Sequence, residues 1–176
     1  MQLLHPLAIS IGILGALAAW LTLGPLADLG LQLWAIFVAW GAFYHTGGSA
    51  GAIQKNTGAL IFGSVIAWIV LIGVTTLAGS LGVPVAAFIC VGLGAAAVVL
   101  AAKIPLFATI PASVYGFACV ASYAMQSNKL GNLYDLSLVD NPLLNIVAAL
   151  LIGTILGFLS ETIGAAMAKS EETSVA

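Results

Sequence analysis

ALIFGSVIAWIVLIGVTTLA, Ala59–Ala78, runs for 20 residues without a charge. A helix needs about 20 largely apolar residues, each rising 1.5 Å, to cross a hydrocarbon core about 30 Å thick. The stretch therefore reads as a membrane-crossing helix. The rest of the chain agrees. Of its 176 residues 62% are hydrophobic and 6% charged, and the mean hydropathy is +1.18. Soluble domains carry about 25% charged residues, so this chain has too little polar surface to cover a fold in water.

Working outward from Ala59–Ala78, five more apolar runs appear: Leu7–Leu23, Leu31–Tyr44, Pro84–Ala102, Leu106–Met125 and Leu143–Ala165. The second reaches spanning length only with its flanking residues. Gly24-Pro25, Gly47-Gly48, Gly79 to Pro84, Lys103 to Pro105 and the polar segment Gln126–Pro142 punctuate them. The expected fold is all-α, a polytopic membrane protein with six transmembrane helices forming one domain over residues 1–176, with a short polar tail at 170–176. Helices satisfy their own backbone groups in lipid, so strands are not required. Met1–Leu23 reads as the first span rather than a signal peptide, because MQLLHPLAIS has no Lys or Arg. Lys55, Lys103 and Lys169 fall on one side of six spans and Lys129 on the other, which predicts that both termini are cytoplasmic.

The opening residues of the central stretch return later in the chain. ALIFGSVIAW, Ala59–Trp68, matches ALLIGTILGF, Ala149–Phe158, with Gly63 against Gly153 and Ser64 against Thr154. GILGALAAWLTLGPL, Gly12–Leu26, similarly matches GLGAAAVVLAAKIPL, Gly92–Leu106, and Trp40-Gly41 faces Tyr115-Gly116. The order is the same in both halves, which predicts a first repeat of about residues 1–80 and a second of about 81–169. Three spans per copy is an odd number. Two similarly folded copies must then enter the membrane in opposite senses, as an inverted-topology repeat.

Little in the chain carries chemistry. Gly63 with Ala67, and Gly153 with Gly157, are small residues four apart on one helix face, where they let helices approach closely. Ser64 and Thr154 lie beside them, positioned to bond a backbone carbonyl or to line a polar path. FYHTGGSAGAIQKN, Phe43–Asn56, is the richest polar stretch. Ser49 is placed to cap the next helix, and a helix from Ser49 to Ala78 would be about 45 Å long. Either it projects from the membrane, or the glycine segment dips in toward a cavity. His45 is a candidate proton-sensitive gate, or an interfacial histidine. Glu161 is the acid set within an apolar span. Buried it would be functional; about 27 Å along its helix it can also reach water. Pro111, read as lying inside the fifth span, predicts a kink and a freed carbonyl. Asn145 reads as a loop anchor.

Trp20, Trp34, Trp40, Phe43, Tyr44, Trp68, Tyr115, Phe117 and Tyr123 divide between an interfacial belt and a deeper wall. Trp40, Tyr115 and Phe117 belong to the deeper set and are candidates to line a narrow pore. No nucleophile stands with a base, and no His and Cys cluster has metal spacing, so neither an enzyme nor a metal or other cofactor is expected. Cys90 and Cys119 fall in apolar runs and read as core residues. Four Lys, no Arg and a net charge of −2 exclude a nucleic-acid surface. The expected function is a homo-oligomeric membrane channel or facilitator for a small, mostly uncharged solute of the urea, amide, ammonia or polyol class. Its lining would be Trp40, Tyr115, Phe117, Ser64 and Thr154, with His45 and Glu161 near one mouth. The alternatives are a non-conducting membrane scaffold or assembly partner, and an ion-coupled secondary transporter.

The six runs, with WGAFYHTGGSAGAIQKN and ALIFGSVIAW, make the chain resemble the YcdZ-like family of small bacterial inner-membrane proteins, which carries a domain of unknown function. The resemblance covers essentially the whole chain. It implies a bacterial inner membrane and transfers no activity and no site residues. In size and span number the chain also looks like the small ring-forming urea channels, without a shared motif.

Overall fold

The computed structural model describes residues 3–175, with side chains over residues 3–170. It contains six α-helices and, among the described residues, no strand: α1 Leu4–Leu23, α2 Leu33–His45, α3 Ser49–Leu81, α4 Val83–Leu100, α5 Ile110–Gln126 and α6 Pro142–Val175. Short 3-10 turns at Ala27–Leu29, Ala101–Lys103, Pro105–Phe107 and Leu130–Asn132 join them. Four helical stretches are long and apolar enough to cross a membrane: Leu4–Leu23, Ser49–Leu81, Val83–Lys103 and Pro142–Ser170. α2, with 13 residues, and α5, with 17, extend about 20 Å and about 26 Å, less than a hydrocarbon core.

Two expectations change at the helix ends. Ser49 does not cap α3 with its side chain; Gly48 holds the cap position and Ser49 itself adopts φ +65°. Pro111 does not kink a span, because α5 begins at Ile110 and the proline sits in its first turn, where its missing N–H would have no helical acceptor. α6 continues into the polar segment as far as Val175, and Ala176 lies outside the described residues.

α3 and α6 are the two long helices at the centre and touch each other. α5 and α4 pack mainly on α3, whereas α2 and α1 pack mainly on α6. Lipid tails are as apolar as leucine, so burial from water does not hold such helices together; close van der Waals packing does. Glycine provides it at the crossings. A Cβ on Gly63 would lie 1.7 Å from Ser113 O of α5, and one on Gly116 2.0 Å from Leu60 O of α3. On the other side a Cβ on Gly153 would lie 2.1 Å from Ile36 O, and one on Gly157 2.8 Å from the Phe43 ring of α2. Ala67 is fully buried on the Gly63 face.

At one end of the bundle Asn141 caps α6, its Oδ1 accepting from the Leu143 and Leu144 amides. Asn145 is the loop anchor expected of it: its Nδ2 reaches the carbonyls of Leu29, Gly30 and Leu138. Beside them Lys129 and Asp140 form an ion pair at 2.7 Å. That hydrogen bond and the opposite charge hold the Asp140 carboxyl below its ordinary value and raise the Lys129 ammonium above its own.

Candidate functional site

The opposite end gathers the start of α1, the end of α2, the start of α3 and the later half of α6. It is built around the Thr46–Ser49 turn. Gly47 and Gly48 take φ +103° and +66°, a region open to glycine, and Ser49 follows in the same hand. The turn points the first amide of α3 at Glu161, whose Oε2 accepts from Ser49 N at 2.5 Å. A Cβ on Gly48 would stand 2.8 Å from Glu161 Oε1, so the residue at this turn must be small as well as left-handed. Glu161 is therefore half-buried and supplies, from a different helix, the negative group that the positive end of α3 favours.

Its neighbour Ser160 is fully buried and joins three helices. Trp40 Nε1 donates to Ser160 Oγ at 3.0 Å, Tyr44 Oη lies 2.7 Å from it, and the same Oγ donates to Gly157 O at 2.8 Å. A hydroxyl has one hydrogen. With that hydrogen on Gly157 O, Tyr44 must be the donor in its pair. From α1, Ser10 Oγ donates to Ser160 O at 2.8 Å.

A second set of polar groups lies where α2, α3 and α6 meet. Asn56, 0% exposed, donates through Nδ2 to Thr154 Oγ1 at 2.9 Å and to Ala39 O at 3.3 Å. Thr154 in turn donates to Leu150 O at 3.1 Å. Thr46 Oγ1 donates to Ala42 O at 2.8 Å and lies 3.3 Å from Asn56 Oδ1. Both sets are made of uncharged hydroxyl, amide and indole groups, one where α1, α2 and α6 meet and the other where α2, α3 and α6 meet.

The residues singled out in the sequence occupy different parts of this arrangement. Trp40 and Thr154 belong to the buried sets, and Glu161 stands at their outer edge. His45 is exposed, and its Nδ1 pairs with Tyr115 Oη at 3.1 Å, joining α2 to α5. Ser64 is fully buried at the α3–α5 crossing, donating to Leu60 O at 2.8 Å with Gly116 O at 3.3 Å. Ser113 lies at the same crossing, with its buried Oγ unbonded among the described residues. Phe117 faces elsewhere, lining with Ala95, Val98, Val99 and Val114 an apolar crevice of about 150 Å³ between α4 and α5. Trp40, Phe117 and Tyr115 thus do not share one wall.

Asn56, Thr46, Tyr44, Ser160 and Ser10 were not among the expected site residues. A signal existed for two of them. Asn56 lies on the helix face of Ala59, Gly63 and Ala67, and Ser160 on that of Gly153 and Gly157. A polar residue on a close-packed face has to find its partner inside the bundle.

No group of three or more His, Cys, Asp or Glu able to hold a metal occurs among the described residues. No curated protein and no solved structure matches the chain. Residues 8–165, from the first turns of α1 well into α6, match the family described as "Protein of unknown function (DUF1097)", and the chain belongs to that family.

Proposed function

We propose that this protein is a membrane facilitator for a small, mostly uncharged solute of the urea, amide, ammonia or polyol class, and not an enzyme. The observation that carries the reading is the two buried neutral sets, Tyr44–Ser160–Trp40 between α2 and α6 and Thr46–Asn56–Thr154 where α2, α3 and α6 meet. Polar groups are costly inside a bilayer, so a buried set of them is a functional-site hypothesis. These are neutral, which suits exchange of hydrogen bonds with a neutral solute and gives an ion no compensating charge.

The reading includes six crossings and an inverted repeat. The contact pattern supports the repeat: exchanging α1–α3 for α4–α6 turns the α3–α5 pair into α6–α2 and the α3–α4 pair into α6–α1, which are the main packings between the two halves. The directions agree as well. Gly73 with Cys90 and Gly94 with Val70 run α3 and α4 antiparallel, as Leu7 with Gly164 and Ser10 with Ser160 run α1 and α6. The chain's placement in a bacterial inner membrane with both termini cytoplasmic, and its assembly with further copies, complete the proposal.

Stopped-flow light scattering on proteoliposomes with urea, acetamide, glycerol and ammonia tests it. Faster entry than into empty vesicles is expected for at least one solute; rates equal to empty vesicles for all four defeat the reading. A non-conducting scaffold is the second reading, and the close approach at Gly63, Gly116, Gly153 and Gly157, which fills the helix crossings inside the bundle, favours a closed interior. It predicts a stoichiometric partner on gentle extraction and no flux.

A further inference from the structure

The two hydrogens of Asn56 Nδ2 are both taken, by Thr154 Oγ1 and by Ala39 O. Rotating the amide by half a turn would set its oxygen against the Ala39 carbonyl, two acceptors facing each other, so the orientation is fixed. Its Oδ1 is worse provided. The donor beside it is the Thr46 hydroxyl at 3.3 Å, and that hydroxyl has one hydrogen and a nearer acceptor, Ala42 O at 2.8 Å. Asn56 Oδ1 thus holds only second claim on a proton, at a residue with 0% exposure. A buried amide oxygen in that position favours any donor that can reach it.

The nearest solvent-facing segment is the turn already described. Asn56 lies seven residues into α3 from Ser49, about 10 Å along the helix. Thr46, half-buried, directly precedes the Gly47-Gly48 turn, where Gly47 is exposed and a Cβ on it would meet nothing within 4 Å. A donor arriving there replaces the weaker of Thr46's two interactions and leaves its bond to Ala42 in place.

Resting on the facilitator reading, we infer that Asn56 Oδ1 is the acceptor that selects hydrogen-bond-donating neutral solutes, primary amides and urea, over counterparts whose nitrogens are fully alkylated. Asn56 Nδ2, held by Thr154 and Ala39, positions it.

Two readouts test this, one of them independent of transport. In labelled protein in micelles, the side-chain amide signal of Asn56, assigned by its loss in Asn56→Leu, is followed by NMR while acetamide or N,N-dimethylacetamide is added. Acetamide should move the signal saturably and dimethylacetamide should not. Thr46→Val, which removes the competing hydroxyl and keeps the side-chain shape, should lower the half-saturating acetamide concentration about fivefold. In vesicles, Asn56→Leu should abolish the preference for acetamide over dimethylacetamide; if that variant does not fold, the Thr46→Val titration decides. A signal that ignores acetamide, or answers both amides alike, overturns the assignment even where solutes permeate. A selective signal in a protein that passes nothing keeps the Asn56 site and removes the facilitator.

Discussion

Glu161 contributes to the molecule by position more than by depth. A carboxylate that accepts an N-terminal helix amide gains from both the hydrogen bond and the helix dipole. Glu161→Gln keeps an acceptor and loses the charge, whereas Glu161→Ala loses both. The expected order of melting temperature in a fixed detergent is wild type, then Gln, then Ala, with Gly48→Ala as low as Ala because its Cβ would displace the carboxylate and its φ of +66° would be strained. A Gly48→Ala protein as stable as wild type would refute the cap. Glu161 was legible in the sequence because an acid in an apolar run stands out. Its partner was not, since a backbone amide 112 residues away carries no letter of its own. Asn56 was passed over for the opposite reason. It follows Gln54 and Lys55, both exposed, and reads as the end of a polar stretch until its helix face is counted.

Between helices, the same residue type has opposite consequences according to what lies opposite. Gly153 meets the Ile36 carbonyl and Gly41 meets nothing within 4 Å, although both lie in helices that pack together. Gly41→Ala should raise stability by about 0.5–1 kcal/mol, through the better helix propensity of alanine. Gly153→Ala should lower it by about 1–3 kcal/mol, because α2 and α6 must separate. Thermal unfolding of the two variants side by side checks the sign; two changes of the same sign would sink the argument. The small-residue spacing of Gly153 with Gly157 was readable from the chain. What could not be read was where an element begins. Pro111 lies among apolar residues and looks internal to a span, yet the Pro105–Phe107 turn ahead of it delays α5 to Ile110, because Lys103 to Pro105 interrupts the helix first.

For the whole molecule, the difference between six crossings and four is a difference in where the lysines end up. If every helix crosses, residues 55, 103 and 169 share one side. An arrangement with α2 and α5 turning back within one leaflet would put 55 and 103 opposite 169, against the Ser49–Glu161 bond that holds the start of α3 beside the later half of α6. Single cysteines at Lys55, Lys103 and Lys169, in a background with Cys90→Ala and Cys119→Ala, should all be labelled by an impermeant maleimide from the same face; labelling of 55 and 103 from the face opposite to 169 would leave four crossings. Composition was enough to expect a helical membrane protein. The doubled letters of Ala59–Trp68 and Ala149–Phe158 suggested two halves, while their arrangement around the α3–α6 pair depends on contacts between distant residues that no local pattern encodes. One such contact bears on biosynthesis. Ser10 meets Ser160, 150 residues later in the chain. At about 5–20 residues per second the ribosome takes about 8–30 s to cover that interval. The first helix to leave it therefore waits in the bilayer without its main neighbour until the last one arrives, held meanwhile by lipid or by the insertion machinery, and any pause in translation before α6 prolongs that wait.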